Sequence, residues 1–302
     1  MKKSTKIMTT LSIVVLVSLT LFLALKFNKK KPVSSNIPKK YYSIKDKENY
    51  NIKNIKEINI ENTIADINLI VEPREDIQLN YYGKLIANSN LTLNSIVKGN
   101  EIYINFKGNN KDSLNIFFSN LKLDIYLPEK FKQDIYIKNV SGQINMKNGL
   151  NLKKLTIDSS SGHIKLNDST IDNLILTLSS ADLKSRNLST KTTNVNTSTG
   201  DMDISNFNGD FKGDSLSGNF NVSYENFKNN IDIKTESGKV RLKLKENSEF
   251  YLNAESKKGD ISCSYPINIE DKFNHNRIRG LVKKDKNKIN ITTKNGNIEI
   301  AK

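Results

Sequence analysis

The sequence predicts an all-β protein built around a right-handed parallel β-helix, a solenoid of about 19–20 residues per coil. The first observation is a repeat in which a small residue is followed by apolar residues at every second position. The copies from Gly142 to Gly259 recur at a nearly constant interval. Such a fixed period is typical of a solenoid, in which one short unit stacks on the next. The eight small residues are Gly142, Gly162, Ala181, Gly200, Gly218, Gly238, Gly259 and Gly296.

The second observation is a shared apolar register around each small residue. Positions minus seven, minus five, plus two and plus four are apolar in nearly every copy, as in Leu155, Ile157, Ile164 and Leu166 around Gly162. Since alternate side chains of a strand share one face, each copy predicts two short strands that meet at a corner. Glycine suits such a corner because it accepts positive φ. Position minus three is a hydroxyl residue in most copies, and we expect these hydroxyls to hydrogen-bond backbone at the bend. They are Ser159, Thr197, Ser215, Thr235, Ser256 and Thr293.

The spacers between copies are short and polar and usually hold one apolar anchor, which predicts a short third side to the coil. Two other arrangements fit less well. A βαβ sheet needs a crossover helix, and no spacer is long or apolar enough to form one. A Greek-key sandwich would not require a glycine in every repeat. The anchors are Leu150, Ile171, Leu188, Phe207 and Phe227.

The segment before the repeats is less regular. A partial copy surrounds Ala65, but between it and Gly142 the period is lost. Residues 73–128 alternate strongly and contain hairpin-like punctuation at Gly99 and Gly108. We therefore expect an N-terminal β cap over 51–128, followed by a β-helix repeat domain over 129–302. Such a cap would cover strand groups that an open solenoid end exposes.

The N-terminal segment predicts a membrane anchor. The stretch from Ile7 to Leu25 carries no charge and is flanked by lysines on both sides. Its length is nearer to that of a bilayer span than to that of a signal-peptide core, and no small-x-small cleavage site follows it. The expected order is a cytoplasmic tail (1–6), a transmembrane signal-anchor helix (7–25) and a basic linker (26–50). The protein is then expected at the cell membrane, single-pass, with its C-terminal domain extracytoplasmic at the cell surface. A cleaved signal peptide is the alternative.

The charge distribution indicates which classes of partner the protein can bind. The chain has 47 basic and 32 acidic residues, and nine of the bases but none of the acids precede residue 41. The remaining net charge of +6 suits an anionic cell-wall polymer and is too weak to indicate nucleic acid. The alternatives are an envelope or membrane protein as partner, or a solvated mixed-charge surface without a ligand. The single cysteine, Cys263, allows no disulfide within the chain and is expected to be buried as a small hydrophobic residue.

The outward positions just after the corners are the best candidates for catalysis. Asp182, Asp201 and Asp203 would lie close enough on stacked coils to hold calcium. The alternative function is therefore a calcium-dependent polysaccharide lyase-like enzyme. Against it, Lys165 and Lys184 alternate with the acids and predict ordinary cross-strand pairing. The full column is Gln143, His163, Asp182, Asp201, Asn219, Lys239, Asp260 and Asn297, with Lys165, Lys184, Asp203, Arg241 and Glu299 one layer further.

No enzyme site follows from the remaining residues. His163 and His275 have neither a cysteine nor a second histidine at zinc-ligand spacing. No nucleophile elbow, P-loop or dinucleotide-binding fingerprint is present. The sequence therefore predicts no catalytic residue, no cofactor and no metal site, and a protein that is not an enzyme.

The repeated Ser-Gly-x-Ile-x-Leu units, preceded by Leu123-Asp-Ile-Tyr-Leu-Pro128, resemble a known family. It is the putative-adhesin β-strand-repeat family of bacterial envelope proteins, domain of unknown function 4097, and the resemblance covers roughly residues 55–300. It implies a β-helical outer domain in the cell envelope with a non-catalytic, adhesin-like or envelope-stress-associated role. Ala181 and Ser185 depart from the repeat pattern and suggest a locally looser coil.

Overall fold

A computed structural model describes residues 39–108, 114–273, 276–284 and 287–302. Lys39–Lys302 form one compact unit. The predicted tail, the anchor at 7–25 and most of the linker lie outside the described residues. Within the described part, no helix is long and apolar enough to cross a membrane.

Twenty-five β-strands and no helix make up the described chain. The N-terminal strands are β1 (Lys40–Asn51), β2 (Glu57–Asn62), β3 (Asp66–Glu72), β4 (Asp76–Ala87), β5 (Leu91–Lys98), β6 (Glu101–Gly108), β7 (Ile116–Ser119) and β8 (Lys122–Pro128). The middle strands are β9 (Asp134–Asn139), β10 (Ile144–Lys147), β11 (Asn151–Ser159), β12 (His163–Lys165), β13 (Ser169–Leu178), β14 (Asp182–Arg186), β15 (Leu188–Thr197), β16 (Met202–Ser215), β17 (Phe220–Tyr224), β18 (Ile231–Thr235) and β19 (Val240–Lys243). The C-terminal strands are β20 (Phe250–Ser256), β21 (Ile261–Cys263), β22 (Asn268–Phe273), β23 (Arg277–Val282), β24 (Lys288–Thr293) and β25 (Ile298–Ala301).

The strands form two ladders, and each coil contributes one strand to each. Sheet B holds the strand before the corner and sheet A the strand after it, as β11 and β12 do around Gly162. Successive coils pair in parallel and in register, so that Leu155 lies beside Leu174 in sheet B and Ile164 beside Leu183 in sheet A. The predicted all-β solenoid is confirmed. β1, all but the last residue of which falls in the segment expected to be a linker (26–50), pairs with β4 along its whole length.

The eight corners stack in one column with Ala65, but the predicted reason for glycine, a positive φ, holds at only two of them. Only Gly142 and Gly162, with φ of 107° and 105°, have positive φ among the corner glycines, all of which are described. At the others the carbonyl of the neighbouring coil lies where a side chain would begin. A Cβ on Gly200 would lie 1.9 Å from the Ala181 carbonyl oxygen. Close backbone approach therefore selects glycine at most corners.

The residues three before the corners hydrogen-bond the bend, as predicted. The Gly218 N–H donates to Ser215 Oγ at 2.7 Å, and the Gly238 N–H donates to Thr235 Oγ1 at 2.9 Å. Before Gly162, which has positive φ, the side chain donates instead, from Ser159 Oγ to the Ser161 carbonyl at 3.0 Å. A buried hydroxyl can fill either role because it is both donor and acceptor.

The predicted apolar register forms the core. Leu155, Ile157, Ile164 and Leu166 are fully buried, and so are the spacer anchors Ile171 and Leu188. These anchors lie near the start of β13 and β15. Further along, the pairing between the two strands is interrupted at Asp172 and Lys191. The short first segment of each strand corresponds to the expected third side.

Three irregular positions of the core differ from the predictions or refine them. Ala181 is fully buried, and the buried Ser185 hydroxyl donates to the Leu166 carbonyl. Cys263, expected to be buried, is only partly so and packs against the core in the last layer. It is less covered because β21 pairs with β25 on one side and with no strand of sheet A on the other within the described chain.

Aromatic side chains join the aliphatic ones in the C-terminal half of the core. Seven rings follow one another edge to face, with neighbouring centroids 5.1–6.1 Å apart. Such pairs add about 0.5–1.5 kcal/mol each beyond their area burial. The rings are Phe207, Phe211, Phe220, Tyr224, Phe227, Phe250 and Tyr265.

The coils do not stack in chain order at either end. The first coil of the chain, β2–β3, lies between β6 and β8 on one side and β9–β10 on the other. The last coil, β24–β25, lies between β18–β19 and β20–β21. Both of these coils are thus paired on two sides. Antiparallel strands complete the ends: β1, β4, β5 and β7 at the N-terminal end, and β22 and β23 at the C-terminal end.

Candidate functional surface on the outer face of sheet A

The candidate column just after the corners lies on the outer face of sheet A, one side chain per coil. Its spatial order differs from the chain order only at the C-terminal end, where Asn297 comes before Asp260. The structure thus brings the predicted residues together in one line. At the N-terminal end the line also gains Asp66, whose carboxylate accepts from the Gln143 N–H at 2.9 Å.

The acidic and amide side chains of this line bind the backbone of the next coil. Asp182 Oδ1 accepts from the Asp201 N–H at 2.9 Å, and Asp201 Oδ1 accepts from the Asn219 N–H at 2.8 Å. Asn219 Oδ1 accepts from the Lys239 N–H at 2.9 Å. Because each bond joins two successive coils, the column stabilises the stack.

The residues considered for calcium and for zinc do not assemble into a site in the described part of the chain. No group of three His, Cys, Asp or Glu side chains there is placed to hold a metal ion. Asp203 accepts from Asn221 Nδ2 at 3.0 Å, and His163 Nδ1 lies 3.3 Å from Asp182 Oδ2. His275 falls outside the described residues.

A group of basic side chains lies beside this column and is here named the basic strip: Lys147, Lys165, Lys184 and Arg186. All four side chains are exposed on β10, β12 and β14, which are neighbours in sheet A. None of the four forms an ion pair with any residue that the structure describes.

The cross-strand pairing predicted for the two lysines of this strip is not formed in the described chain. The parallel register places Lys165 directly beside Lys184, so these two face a like charge. On its other side Lys184 lies beside Asp203, whose carboxylate bonds Asn221. Three acids adjoin the strip, Asp168, Asp182 and Asp203, and each accepts a hydrogen bond from the following coil.

The basic strip has an electrostatic cost that the fold does not require. Adjacent strands are about 4.8 Å apart, and like charges directly opposite one another destabilise a sheet. Elsewhere on the surface basic residues do find partners, as Lys191 does with Asp172 at 2.8 Å and Lys294 with Glu236. The strip is therefore a surface of concentrated positive charge available to an anionic ligand.

A second turn column borders the strip and was not predicted. Asn148, Asp168, Asn187 and Asn206 have φ of 64°, 53°, 55° and 54°, where the chain leaves sheet A. Asn and Asp tolerate this left-handed conformation better than other residues with side chains. Asn187 Nδ2 donates to Asp168 Oδ1 at 2.6 Å, and Asn206 Nδ2 to Asn187 Oδ1 at 3.0 Å. The signal in the sequence was an Asn or Asp at position plus six from each of these corners.

A shallow cavity lies at the N-terminal end of the stack, away from the strip. Its volume is about 460 Å³, and it is lined by the 52–56 loop, by Asn100 and by the loop containing Lys130 and Phe131. Lys130 there pairs with Glu75. Its described lining residues include Lys53, Lys56 and Lys130 and no His, Cys, Asp or Glu.

Comparison with known proteins agrees with this architecture. A crystal structure of a "putative adhesin" from Bacteroides fragilis NCTC 9343 has a TM-score of 0.50 at 14% identity, covering 85% of this chain and 97% of that one. A "putative adhesin" from Parabacteroides distasonis ATCC 8503 has a TM-score of 0.48 at 16% identity over the same shares. No curated protein matches the sequence significantly. The family model of Toastrack DUF4097 matches residues 55–301. With most of its length matched, the chain belongs to the Toastrack DUF4097 family, as the resemblance of its repeats indicated.

Proposed function

We propose that this protein is a non-catalytic binding module of the bacterial cell envelope, and that its basic strip binds an extended anionic polymer such as a teichoic or lipoteichoic acid. The single observation that carries the proposal is the stack of Lys165 and Lys184 with neighbouring Lys147 and Arg186, none in an ion pair within the described chain.

We further infer that residues 7–25 anchor the protein in the cell membrane with the stack outside. The coils are inferred to be right-handed.

The spacing of the strip fits a repeating ligand. Its side chains come from successive coils about 4.8 Å apart on a rigid sheet, so a linear polyanion lying along the stack would meet one cation after another. Each contact with an exposed ammonium group is weak, and several together give useful affinity. The net charge of +6 beyond residue 40 attracts the same class of ligand.

A binding role is supported over an enzymatic one by how the candidate acids are used. Asp182 and Asp201 hold backbone N–H groups of neighbouring coils, which is a structural task. The Bacteroides structure of similar fold is named a "putative adhesin", and adhesion is a binding role. Cleavage of an acidic polysaccharide in the presence of calcium, lost in Asp201→Ala, would contradict this interpretation.

The test is retention of residues 39–302 on purified cell walls at low and high salt. We expect binding at low salt that falls steeply as salt rises, because exposed charges are screened beyond about 8 Å at physiological ionic strength. Walls stripped of anionic polymer should retain little protein. Replacing all four strip residues by glutamine should abolish most of the retention.

A charge-matched variant separates the strip from net charge. It carries four Lys→Gln changes at exposed lysines outside sheet A, and it should bind walls nearly as well as the wild type. Equal loss in both variants, or equal retention on stripped walls, would contradict the proposal. The control positions are Lys132, Lys154, Lys228 and Lys257.

The inferred anchor is tested separately by adding protease to whole cells. The outer stack should be removed, and a small N-terminal fragment should remain in the membrane. Recovery of the mature chain from the medium, beginning after residue 26, would instead support the cleaved signal peptide.

A further inference from the structure

An exposed patch of aromatic and basic side chains lies at the N-terminal end of sheet A, where β8 and β3 separate it from the basic strip. We name it the aromatic–basic patch and define it by Lys39, Tyr41, Lys84, Ile86, Phe117 and Phe118. It is formed by β1, β4 and β7, the antiparallel strands that end the sheet. On β4 its residues alternate with the buried Leu85 and Ala87, so they face outward.

The strand register arranges the patch in alternating rows. Tyr41 pairs with Ile86, which pairs with Phe118, so one row across three strands is apolar. Two residues before Ile86 on β4, Lys84 pairs with Ser43. The row after that joins Lys45, Tyr82 and Lys122. Rows of one face are about 6.6–6.8 Å apart, so aromatic rings and ammonium groups interleave at short range.

The patch holds the three most exposed aromatic rings among the residues whose exposure is described. Tyr41 is 81% exposed, Phe118 49% and Phe117 44%, whereas Phe207 and Phe220 are buried in the core. Lys39 Nζ lies 4.7 Å from the Phe117 ring centroid. Contiguous exposed apolar surface on a folded domain marks an interaction site. The edge of β1 away from β4 carries no further strand in the described part.

The position of the patch in the chain identifies its partner. β1 begins at Lys40, and only the stretch 26–39 separates it from the apolar run that ends at Leu25. At about 3.3–3.6 Å for each extended residue, this stretch spans at most about 50 Å. If residues 7–25 lie in a bilayer, as proposed above, the patch is tethered close to its surface. Aromatic rings with lysines are the side chains that favour the headgroup region, especially of anionic lipids.

We propose that the aromatic–basic patch contacts the surface of an anionic lipid bilayer, so that the stack is held with its N-terminal end against the membrane. The rings of Tyr41, Phe117 and Phe118 would enter the headgroup region, and Lys39 and Lys84 would meet lipid phosphates. This inference rests on the proposed membrane attachment, but it concerns a surface that the polymer proposal does not use.

The chain has no tryptophan, so a single Trp at the patch reports its environment. Residues 39–302 form a compact unit with a continuous core and can be tested without the preceding segment. Phe118→Trp should show a blue shift of its emission with phosphatidylglycerol vesicles and little with phosphatidylcholine vesicles. Val140→Trp, at a corner residue of matching exposure (51%), should show no shift with either.

A second measurement is co-sedimentation of the wild type with the same vesicles. The triple variant Tyr41→Ser/Phe117→Ser/Phe118→Ser should bind about tenfold less, which corresponds to about 1.4 kcal/mol. Circular dichroism of each protein checks that the variant is folded. The four-glutamine variant of the basic strip should bind vesicles like the wild type, so loss of polymer binding and loss of lipid binding are distinguishable.

Several results would overturn the inference. One is the absence of a blue shift at millimolar anionic lipid while Phe118→Trp remains folded. Another is a blue shift without vesicles together with a dimer in light scattering, which would make the patch a contact between two copies. Vesicle binding lost in the strip variant but kept in the triple variant would assign the lipid contact to the strip.

Discussion

The middle of the stack and its two ends are built from the same coil but are assembled by different rules. From β9 to β19, each coil rests on the one before it in the chain. At both ends the order of the coils in the stack differs from their order in the chain. The first and the last coil of the chain each lie one layer in from the end of the stack. Antiparallel strands then complete the outer layers.

The difference shows how a solenoid can protect its termini. If the last coil of the chain were also the end of the stack, one of its sides would be unpaired, and strand edges invite fraying and association. Placing β2–β3 and β24–β25 inside gives each of them partners on both sides. The outermost layers are then held by antiparallel pairing within the chain.

The largest expected effect comes from removing the last coil. Deletion of 288–302 removes four isoleucines that are at most 1% exposed: Ile289, Ile291, Ile298 and Ile300. At about 1.5–3 kcal/mol each, their burial is comparable with the whole net stability of about 5–15 kcal/mol. Because the deletion also unpairs the coils on both sides, we expect no cooperative urea unfolding transition.

The matched control is deletion of 39–51, which removes an edge strand paired only with β4 and one buried residue, Ile44. This variant should keep a cooperative transition at a lower urea midpoint. If the two deletions had similar effects, the inside position of the last coil would have no energetic importance.

A smaller effect on stability is expected from replacing a corner glycine in the middle of the stack. In Gly200→Ala the new Cβ would lie 1.9 Å from the Ala181 carbonyl oxygen, so the backbone must shift. Overpacking of this kind costs about 1–3 kcal/mol. The control is Gly108→Ala near the N-terminal end, where the nearest atom would be 3.9 Å away. Urea unfolding of both variants checks this, and an unchanged Gly200→Ala midpoint would remove close approach as the reason for the glycine.

The hydroxyl beside a corner is expected to matter less. Thr235→Val keeps the shape of the side chain but leaves the Gly238 N–H without its 2.9 Å acceptor. A buried donor left unsatisfied costs about 1–3 kcal/mol, offset here by the apolar gain of the methyl group, so we expect about 1 kcal/mol. Thr177→Val, at an exposed position of β13, is the control and should be near neutral by thermal unfolding.

The smallest effect on stability is a loss at alkaline pH. Burial raises the pKa of Tyr265, near the C-terminal end, to about 12, and burial likewise raises the pKa of Tyr81 near the N-terminal end. A folded pKa above the unfolded value of about 10 gives stability that is present below pH 10 and lost as pH rises towards 12. Tyr265→Phe should make the melting temperature less dependent on pH over that range. An identical pH dependence in both proteins would show that Tyr265 does not contribute.

Chemical modification of the single cysteine, Cys263, tests the packing of the same C-terminal end. Burial raises the pKa of the Cys263 thiol. Its reaction with a thiol reagent at pH 8 should therefore be slower than that of a free cysteine, because less of it is thiolate. Denaturation in urea should restore the ordinary rate, which serves as the control. A rate equal to that of free cysteine in the folded protein would contradict the prediction.

The sequence by itself determined the coil. The apolar register around Gly162 and Gly238 correctly predicted which residues are buried. The hydroxyls of Thr197 and Thr235 accept hydrogen bonds from the backbone at the bends, as expected. These features depend on neighbours within one repeat, so the local sequence pattern is enough to predict them. The Asn and Asp column at Asp168 and Asn187 was equally local and could have been recognised from its spacing.

Only the tertiary structure decided which coil lies next to which. Every coil presents nearly the same apolar face and the same strand edges, so the sequence pattern does not distinguish β24 from β20 as the partner of β18. The same long-range choice decided that Lys165 lies beside Lys184 and that most corner glycines are required by a carbonyl of another coil. Such contacts join residues that are distant in the chain, and their energies differ only in the assembled stack.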